Sequence, residues 1–395
     1  MADNKENKVL NVPALRFPEF TDEWHKQSLG EIGETIIGLT YKPSDVVESN
    51  GTIVLRSSNI KNGVIDYSDL VRVNKPIKER IITKENDILI CARNGSQRLI
   101  GKNAIIKKED ANNTFGAFMM VYRSKDNPFI LPLLSTKRYF SQVGENLGAR
   151  INQITTSDFN GFDFYFPNSH AERAKIAELF RLIDERIATQ NKIIEKLETL
   201  IKGIVELAFS HAATSNTLGC YITQISQRNK TGKDLPVLSV SNKHGFVEQS
   251  EQFEDRIIAS DDTSNYKIVD INDFAYNPAR INVGSIARLK DKECGIVSPM
   301  YICFRTSKDI LPEYLELFFK TVTFSFEVGK RLEGSVRLCL SYESLCEIVI
   351  PIISIREQQS LVKMVTTFHS KLDVEKGFLS SYQSQKQCLL SQMFI

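Results

Sequence analysis

The second half of this 395-residue chain repeats the first, and a chain written twice must build the same local structure twice. From Glu172 to Phe209 and from Glu357 to Phe394 the offset is constant at 185 residues, with no gap. Upstream, Val54-Leu55 to Asn59 align with Val237-Leu238 to Asn242, Arg93 and Gly101 with Arg280 and Gly284, Arg123 with Arg305, and Ile130-Leu-Pro132 with Ile310-Leu-Pro312. The shift drifts there by a few residues, as loops of unequal length would make it.

Each copy changes character partway. Short β-branched and aromatic runs broken by turn signals come first (Thr52 to Leu55, Asp87 to Cys91, Phe118 to Tyr122, Phe162 to Phe166) and predict strands. Pro167 and Pro351 close these regions, and a long segment without proline follows each. In the first, Ile176, Phe180, Ile183, Ile187, Gln190, Ile194, Leu197, Ile201, Ile204 and Ala208 alternate spacings of four and three. In the second, Leu361, Val365, Phe368, Leu372, Glu375, Leu379, Tyr382, Lys386, Leu389 and Met393 hold the same relative positions. Spacing of this kind, sustained beyond ordinary helix length and recurring in phase, predicts two coiled-coil helices. The fold expected is α+β: two β-rich globular regions (1–168 and 211–352) separated by two long antiparallel coiled-coil helices (169–210 and 353–395) in an internal pseudo-twofold repeat. The polar seam residues Gln190 and Glu375 are expected to fix register.

Composition excludes more than it assigns. Hydrophobic residues at 42% and charged residues at 25% describe an ordinary globular chain, and no apolar run reaches the ~18 residues of a membrane helix, so a cytoplasmic location without membrane contact is expected. Seven cysteines, with no CxxC spacing, read as incidental thiols and not as a metal site. The five histidines form no HExxH, and no GxxxxGK[ST] phosphate loop occurs, so no catalytic residue and no bound cofactor are assigned.

A net charge of +2 gives no global argument for nucleic acid, but the charge is uneven. Lys78, Arg80, Lys84, Arg93, Arg98, Lys102, Lys107 and Lys108 stand against Glu79, Glu85 and Asp87, whereas the helix from Glu172 to Leu207 balances seven acids with seven bases. In the second copy Arg280, Arg288, Lys290 and Lys292 stand against Asp291. Arg93-Asn-Gly-Ser96 with Arg98 is a loop whose side chains suit phosphates and base edges, and Arg280 with Asn282 to Ser285 takes its place in the second copy. A second loop precedes the last strand of each region: Gly148-Ala-Arg150 with Asn152 and Gln153, and Gly334-Ser335 with Arg337.

The order of β-rich region and long helix, used twice, resembles the DNA-specificity subunit of type I restriction–modification systems. So do Pro13-Ala-Leu-Arg-Phe-Pro-Glu-Phe20 ending at Trp24, the stretch Gly148 to Pro167 with Ala171-Glu-Arg-Ala-Lys-Ile176, and Gly334 to Pro351 with Arg356-Glu-Gln-Gln359. The resemblance implies that each globular region is a target-recognition domain reading one half of a split sequence in double-stranded DNA. The helices set the spacing and dock two methyltransferase subunits, which use S-adenosylmethionine. Motor-nuclease subunits using ATP and Mg²⁺ join for cleavage, and the specificity subunit itself performs no chemistry.

Candidate DNA contacts are Arg56, Asn59, Arg93, Asn94, Ser96, Arg98, Lys102 and Arg150 in the first region, and Asn242, Lys243, Arg280, Asn282, Ser285, Arg288 and Arg337 in the second. The competing expectation is a duplicated coiled-coil scaffold that binds other proteins without reading DNA.

Overall fold

Met119–Arg123 carries four buried side chains in a row, which suits a strand covered on both faces, and it takes the middle of a four-stranded antiparallel sheet. The order across that sheet is Glu34–Ile37, Met119–Arg123, Ile88–Cys91, Asn103–Ile105. The second copy builds the same sheet from Ile222–Ile225, Ile302–Thr306, Phe274–Tyr276 and Ile286–Arg288. A second sheet in each copy contains a parallel pair, Thr52–Leu55 with Thr114–Phe115 and Val237–Ser241 with Cys294–Val297. A two-stranded ribbon completes each: His25–Ser28 with Asp163–Phe166, and Thr214–Thr217 with Val349–Ile352. The computed structural model describes residues 11–147, 152–212, 214–242, 244–249, 263–334 and 337–395.

The ladders give the correspondence between copies residue by residue. Arg123 clamps Asp87 through Nε and Nη2 at 2.8 and 2.7 Å, and Arg305 clamps Asp273 at 2.6 and 2.8 Å. Asn86 and Asn272, each just before its aspartate, both take positive φ, and so do Gly101 and Gly284 at 82° and 86°. Two of the expected alignments slip. Ile130-Leu-Pro132 ends the helix Asn127–Leu133, whereas Ile310-Leu-Pro312 leads into the helix Pro312–Phe318 with proline as its first residue. The same tripeptide therefore sits at opposite ends of corresponding helices. Their true match is the hydroxyl after each helix: Thr136 donates to Leu133 C=O and Thr321 to Phe318 C=O, both at 2.7 Å. Likewise Ile154 N–H bonds Ala92 C=O and Leu340 N–H bonds Pro278 C=O, which sets Asn94, not Arg93, against Arg280.

The two long helices are His170–Ser210 and Ile355–Met393. The chain divides into two compact units, Met1–Asn191 with Gly377–Ile395, and Lys192–Lys376, so each unit owns a part of both helices. In the first unit Phe180 meets Phe394 at 5.7 Å, Asp184 pairs with Lys386 at 2.5 Å, and Arg186 donates to the Tyr382 hydroxyl at 2.8 Å. Positions rise along one helix as they fall along the other, so the packing there is antiparallel. In the second unit Glu198 pairs with Lys376 at 2.9 Å in the same sense.

On the first helix Ile176, Phe180, Gln190, Ile194, Leu197 and Ile201 are buried while Ile183, Ile187 and Ile204 are half-buried; beyond Ile201 the buried stripe moves to Val205 and Phe209. A helix with 3.6 residues per turn drifts in this way from a strict seven-residue repeat. On the second helix Leu361, Val365 and Leu372 are buried, and Phe368, Glu375, Leu379, Tyr382 and Leu389 are half-buried.

The first unit's main core gathers Trp24, Tyr122, Phe129, Phe164 and Phe166 with Ile176 and Phe180 of one helix and Leu390, Met393 and Phe394 of the other. In the second unit Phe209 packs on Tyr314 at 4.7 Å and on Phe318 at 5.3 Å.

Candidate nucleic-acid interface

Ile88–Cys91 is wholly buried, and the chain emerges from it at Arg93, whose side chain is exposed. Burial pushes the Cys91 thiol up to about 11, although Lys102 acts in the opposite sense. The N–H groups of Ala92 and Arg93 both bond Phe118 C=O at 3.0 Å. Asn94 shapes the next turn: its Oδ1 accepts from Ser96 N–H and its Nδ2 donates to Ser57 Oγ, both at 2.9 Å. A third segment closes on this loop, since Asn94 N–H bonds Asn152 C=O, Asn152 Nδ2 donates to Gly95 C=O at 3.1 Å, and Arg93 bridges to Gln153. The two loops that the sequence nominated separately thus form one surface, from which Arg93, Ser96 and Arg98 project. Among the described residues neither Arg93 nor Arg98 has an acidic partner, and Lys102 is half-buried.

The second unit repeats this convergence with different side chains. Arg280 and Asn282 line a cleft of about 610 Å³ together with Asn277, Ala279, Met300, Arg337 and Leu338. Arg280, Asn282 and Arg337 are exposed, and the two arginines have no acidic partner among the described residues. The exposed Asn242 borders an adjoining hollow with Ser241, Arg280 and Val283.

Other nominated residues are spent inside the fold. Asn59 is fully buried; its Oδ1 accepts from Arg56 N–H, and its Nδ2 donates to Asp66 and Asp69 C=O at 3.0 and 2.7 Å. The Arg56 guanidinium pairs with Asp69 at 2.8 Å. Ser285 is buried and donates to Val240 C=O at 3.1 Å. Arg288, 11% exposed, is held by Glu313 at 2.7 Å and Glu316 at 3.1 Å. Lys290 and Lys292 are also paired, with Glu316 and Glu248. Burial alone would raise the Glu316 carboxyl, but Lys320, Lys290 and Arg288 hold it below the usual carboxylate range. The basic run of the second copy is therefore largely neutralised, and of its members Arg280 alone has no acidic partner among the described residues, with Arg337 likewise unpaired there. Arg150 and Lys243 lie outside the described residues.

Exposed apolar residues on these faces, Leu338 among them, escaped the sequence reading. Phe118, taken for the start of a strand, is 60% exposed in the turn before it, and Met300 is 57% exposed. Only comparison of the two copies at the level of turns marks them out. No group of three or more His, Cys, Asp or Glu among the described residues is placed to hold a metal, and no helix there is long and apolar enough to cross a membrane.

Residues 21–199 match the family described as "Type I restriction modification DNA specificity domain". Across 94% of its length the chain is 23% identical to the type I restriction enzyme EcoKI specificity subunit of Escherichia coli strain K12, covering 88% of that protein. Over 49% of its length it is 27% identical to the StySPI specificity subunit of Salmonella potsdam, covering 43% of that protein. Its fold is shared by the type I restriction–modification S subunit from M. genitalium, with a TM-score of 0.55, 18% identity, and coverage of 97% of this chain and 99% of that one. A chain from structural work on complex assembly and conformational transition of the type I R-M system gives a TM-score of 0.53 at 13% identity, covering 94% and 97%. A duplicated head joined to paired long helices, arginine loops in both heads, and likeness along almost the full length to a specificity subunit point the same way: residues 21–199 match the DNA specificity domain, and the chain as a whole is similar to the DNA-specificity subunits of type I restriction–modification systems.

Proposed function

We propose that this subunit reads a bipartite DNA site, one half with each unit, through the surface where two loops meet. The observation that carries this reading is the placement at that surface, in both copies, of arginines without an acidic partner among the described residues: Arg93 and Arg98 in the first, Arg280 and Arg337 in the second. Lysines and arginines around these loops neutralise phosphates and give salt-sensitive affinity, while Arg93, Ser96, Arg280, Asn282 and Asn242 face base edges and Asn94 holds the turn that presents them. Regions 1–168 and 211–352 serve as target-recognition domains, and segments 169–210 and 353–395 as the spacer on which two methyltransferase subunits dock. In this scheme S-adenosylmethionine, ATP and Mg²⁺ belong to the methyltransferase and motor-nuclease partners, and this chain supplies recognition without catalysis. The buried helix seam supports the spacer role.

Sequencing of methylated bases in cells that carry the methyltransferase partner, with and without this chain, tests the reading. A split motif that depends on this chain is expected, and its absence beside an active partner would defeat the proposal. A matched seven-residue insertion in both helices adds ~10 Å of helix, and so lengthens the gap between half-sites by about three base pairs at ~3.4 Å each while leaving both half-sites unchanged. An unaltered gap removes the spacer role.

A further inference from the structure

The two loop surfaces share a feature that their polar residues do not account for. A tight turn leads into the central strand of both units, closed by Met119 N–H to Gly116 C=O at 2.8 Å in one and by Tyr301 N–H to Ser298 C=O at 3.1 Å in the other. The third residue of that turn is Phe118 in the first unit and Met300 in the second, 60% and 57% exposed. A scattered exposed apolar residue needs no explanation. These two, however, hold the same turn position in copies whose turns otherwise differ, Gly-Ala-Phe against Ser-Pro-Met.

The core does not use them. Phe115 and Met119, on either side of Phe118, are buried to 0% and 1% exposure and fill the space beneath the turn. Phe118 is also tied to the recognition loop, because its carbonyl holds the N–H groups of Ala92 and Arg93 and its ring lies under the Arg93 guanidinium at 5.1 Å. Met300 lines the cleft beside Arg280, Arg337 and Leu338. Each unit therefore presents a large apolar side chain at the same turn position, next to an arginine without an acidic partner among the described residues; in the second unit Leu338 and Val283 are also exposed nearby.

We propose that Phe118 and Met300 are the apolar base readers of the two half-sites, each contacting the C5-methyl of a thymine beside the base that the neighbouring arginine reads. The inference rests on the half-site reading above. Arginine suits the O6 and N7 acceptors of guanine, and apolar side chains suit the thymine methyl in the same groove. A ring beneath the guanidinium fixes its plane, so base contact and methyl contact come as one rigid piece.

The test uses the full chain assembled with its methyltransferase partners and a duplex carrying the motif found by methylome sequencing. Each thymine of the motif is replaced in turn by uracil, which removes only the methyl group. One uracil position in each half-site is expected to weaken binding about four-fold, the loss of one buried methyl. Phe118→Ala is expected to abolish that sensitivity in one half-site and Met300→Ala in the other. If no uracil weakens wild-type binding, or if the sensitivities survive both substitutions, the inference is overturned. It is equally overturned if the variants lose affinity evenly for every sequence, the behaviour of a wedge or a backbone contact.

Arg93→Ala and Arg280→Ala separate this failure from failure of the underlying reading. If they relax the motif while Phe118→Ala and Met300→Ala change nothing, only the apolar readers are wrong; if all four leave the motif intact, the half-site reading falls with them. Both apolar residues are exposed, so thermal midpoints close to wild type are expected, and the uracil scan of the unaltered chain decides the matter without any variant.

Discussion

Glu172 and Glu357 hold the same place in the repeat and live in opposite surroundings. Glu172 is 1% exposed, gripped by Arg16 through two hydrogen bonds of 2.6 and 2.8 Å, and bonded by the Trp24 indole N–H at 3.2 Å. The hydrogen bond to this carboxylate raises the Arg16 guanidinium above its ordinary range. Glu357 is exposed and caps its own helix, accepting from the N–H and hydroxyl of Ser354 at 2.9 and 2.7 Å. Its neighbour Gln358 turns inward instead, accepting from Leu311 N–H and donating to Ile353 C=O, each at 2.9 Å. The reason lies upstream. The first unit has the segment around Arg16 and Trp24 ahead of its ribbon strand, whereas in the second the strand Thr214–Thr217 follows almost directly on the first long helix. Duplication has kept the place where a helix begins and let the device that begins it diverge.

This contrast can be broken most strongly at the buried pair. Arg16→Ala leaves the Glu172 charge buried with only the indole as partner, and is expected to cost about 3–5 kcal/mol. Glu357→Ala removes an exposed cap whose partners water can replace, and should cost far less. Urea unfolding of the two variants checks the ratio; equal losses would show that the two helix starts are equivalent after all.

The Asp–Arg clamps sharpen the comparison at a smaller scale, since Asp87 and Asp273 are both buried but their arginines are 21% and 52% exposed. Arg123→Ala is expected to cost about 2–3 kcal/mol and Arg305→Ala about 1 kcal/mol, because water screens the second pair more effectively. Inversion of that order in unfolding experiments would contradict the assignment.

The smallest effect is chemical. Burial holds the thiol of Cys91 up to about 11 and that of Cys303 up to about 12, both above the ordinary 9.0. Between the ordinary value and those values the unfolded chain releases thiol protons that the folded chain retains, so stability falls as pH rises through that window and is unaffected by these groups below it. In the native state iodoacetamide is expected to label the exposed Cys220 and Cys388 and to spare Cys91 and Cys303. Rapid native labelling of Cys91 would refute its enclosure.

The helices were legible because a seven-residue period is a property of spacing alone, and spacing is what a sequence states directly. Of the first central sheet, Ile88–Cys91 and Met119–Arg123 were legible from composition, whereas the shorter or more polar Glu34–Ile37 and Asn103–Ile105 were not. What misled was direction. Asn59, Ser285 and Arg288 have the chemistry of DNA contacts, but their side chains turn inward to carbonyls and carboxylates that only the fold brings near. The tripeptide Ile-Leu-Pro aligned because three letters agree, although one copy ends a helix and the other starts one. Lys386 stands in the seam where the first copy has Ile201; its partner Asp184 lies just off the first helix's stripe, where a period search does not look. Phe118 and Met300 stayed hidden because an apolar residue beside a strand reads as core.

The division of each long helix between the two units ties distant parts of the chain together in time as well as space. The core around Trp24 is closed by Leu390, Met393 and Phe394, and Leu15 N–H bonds Gln392 C=O. A nascent chain that has presented its first unit's sheets and first helix to solvent still lacks the wall supplied by 377–395, so those apolar surfaces stay uncovered while the whole second unit is being made. Loss of that last segment would accordingly be felt by the unit that was synthesised first.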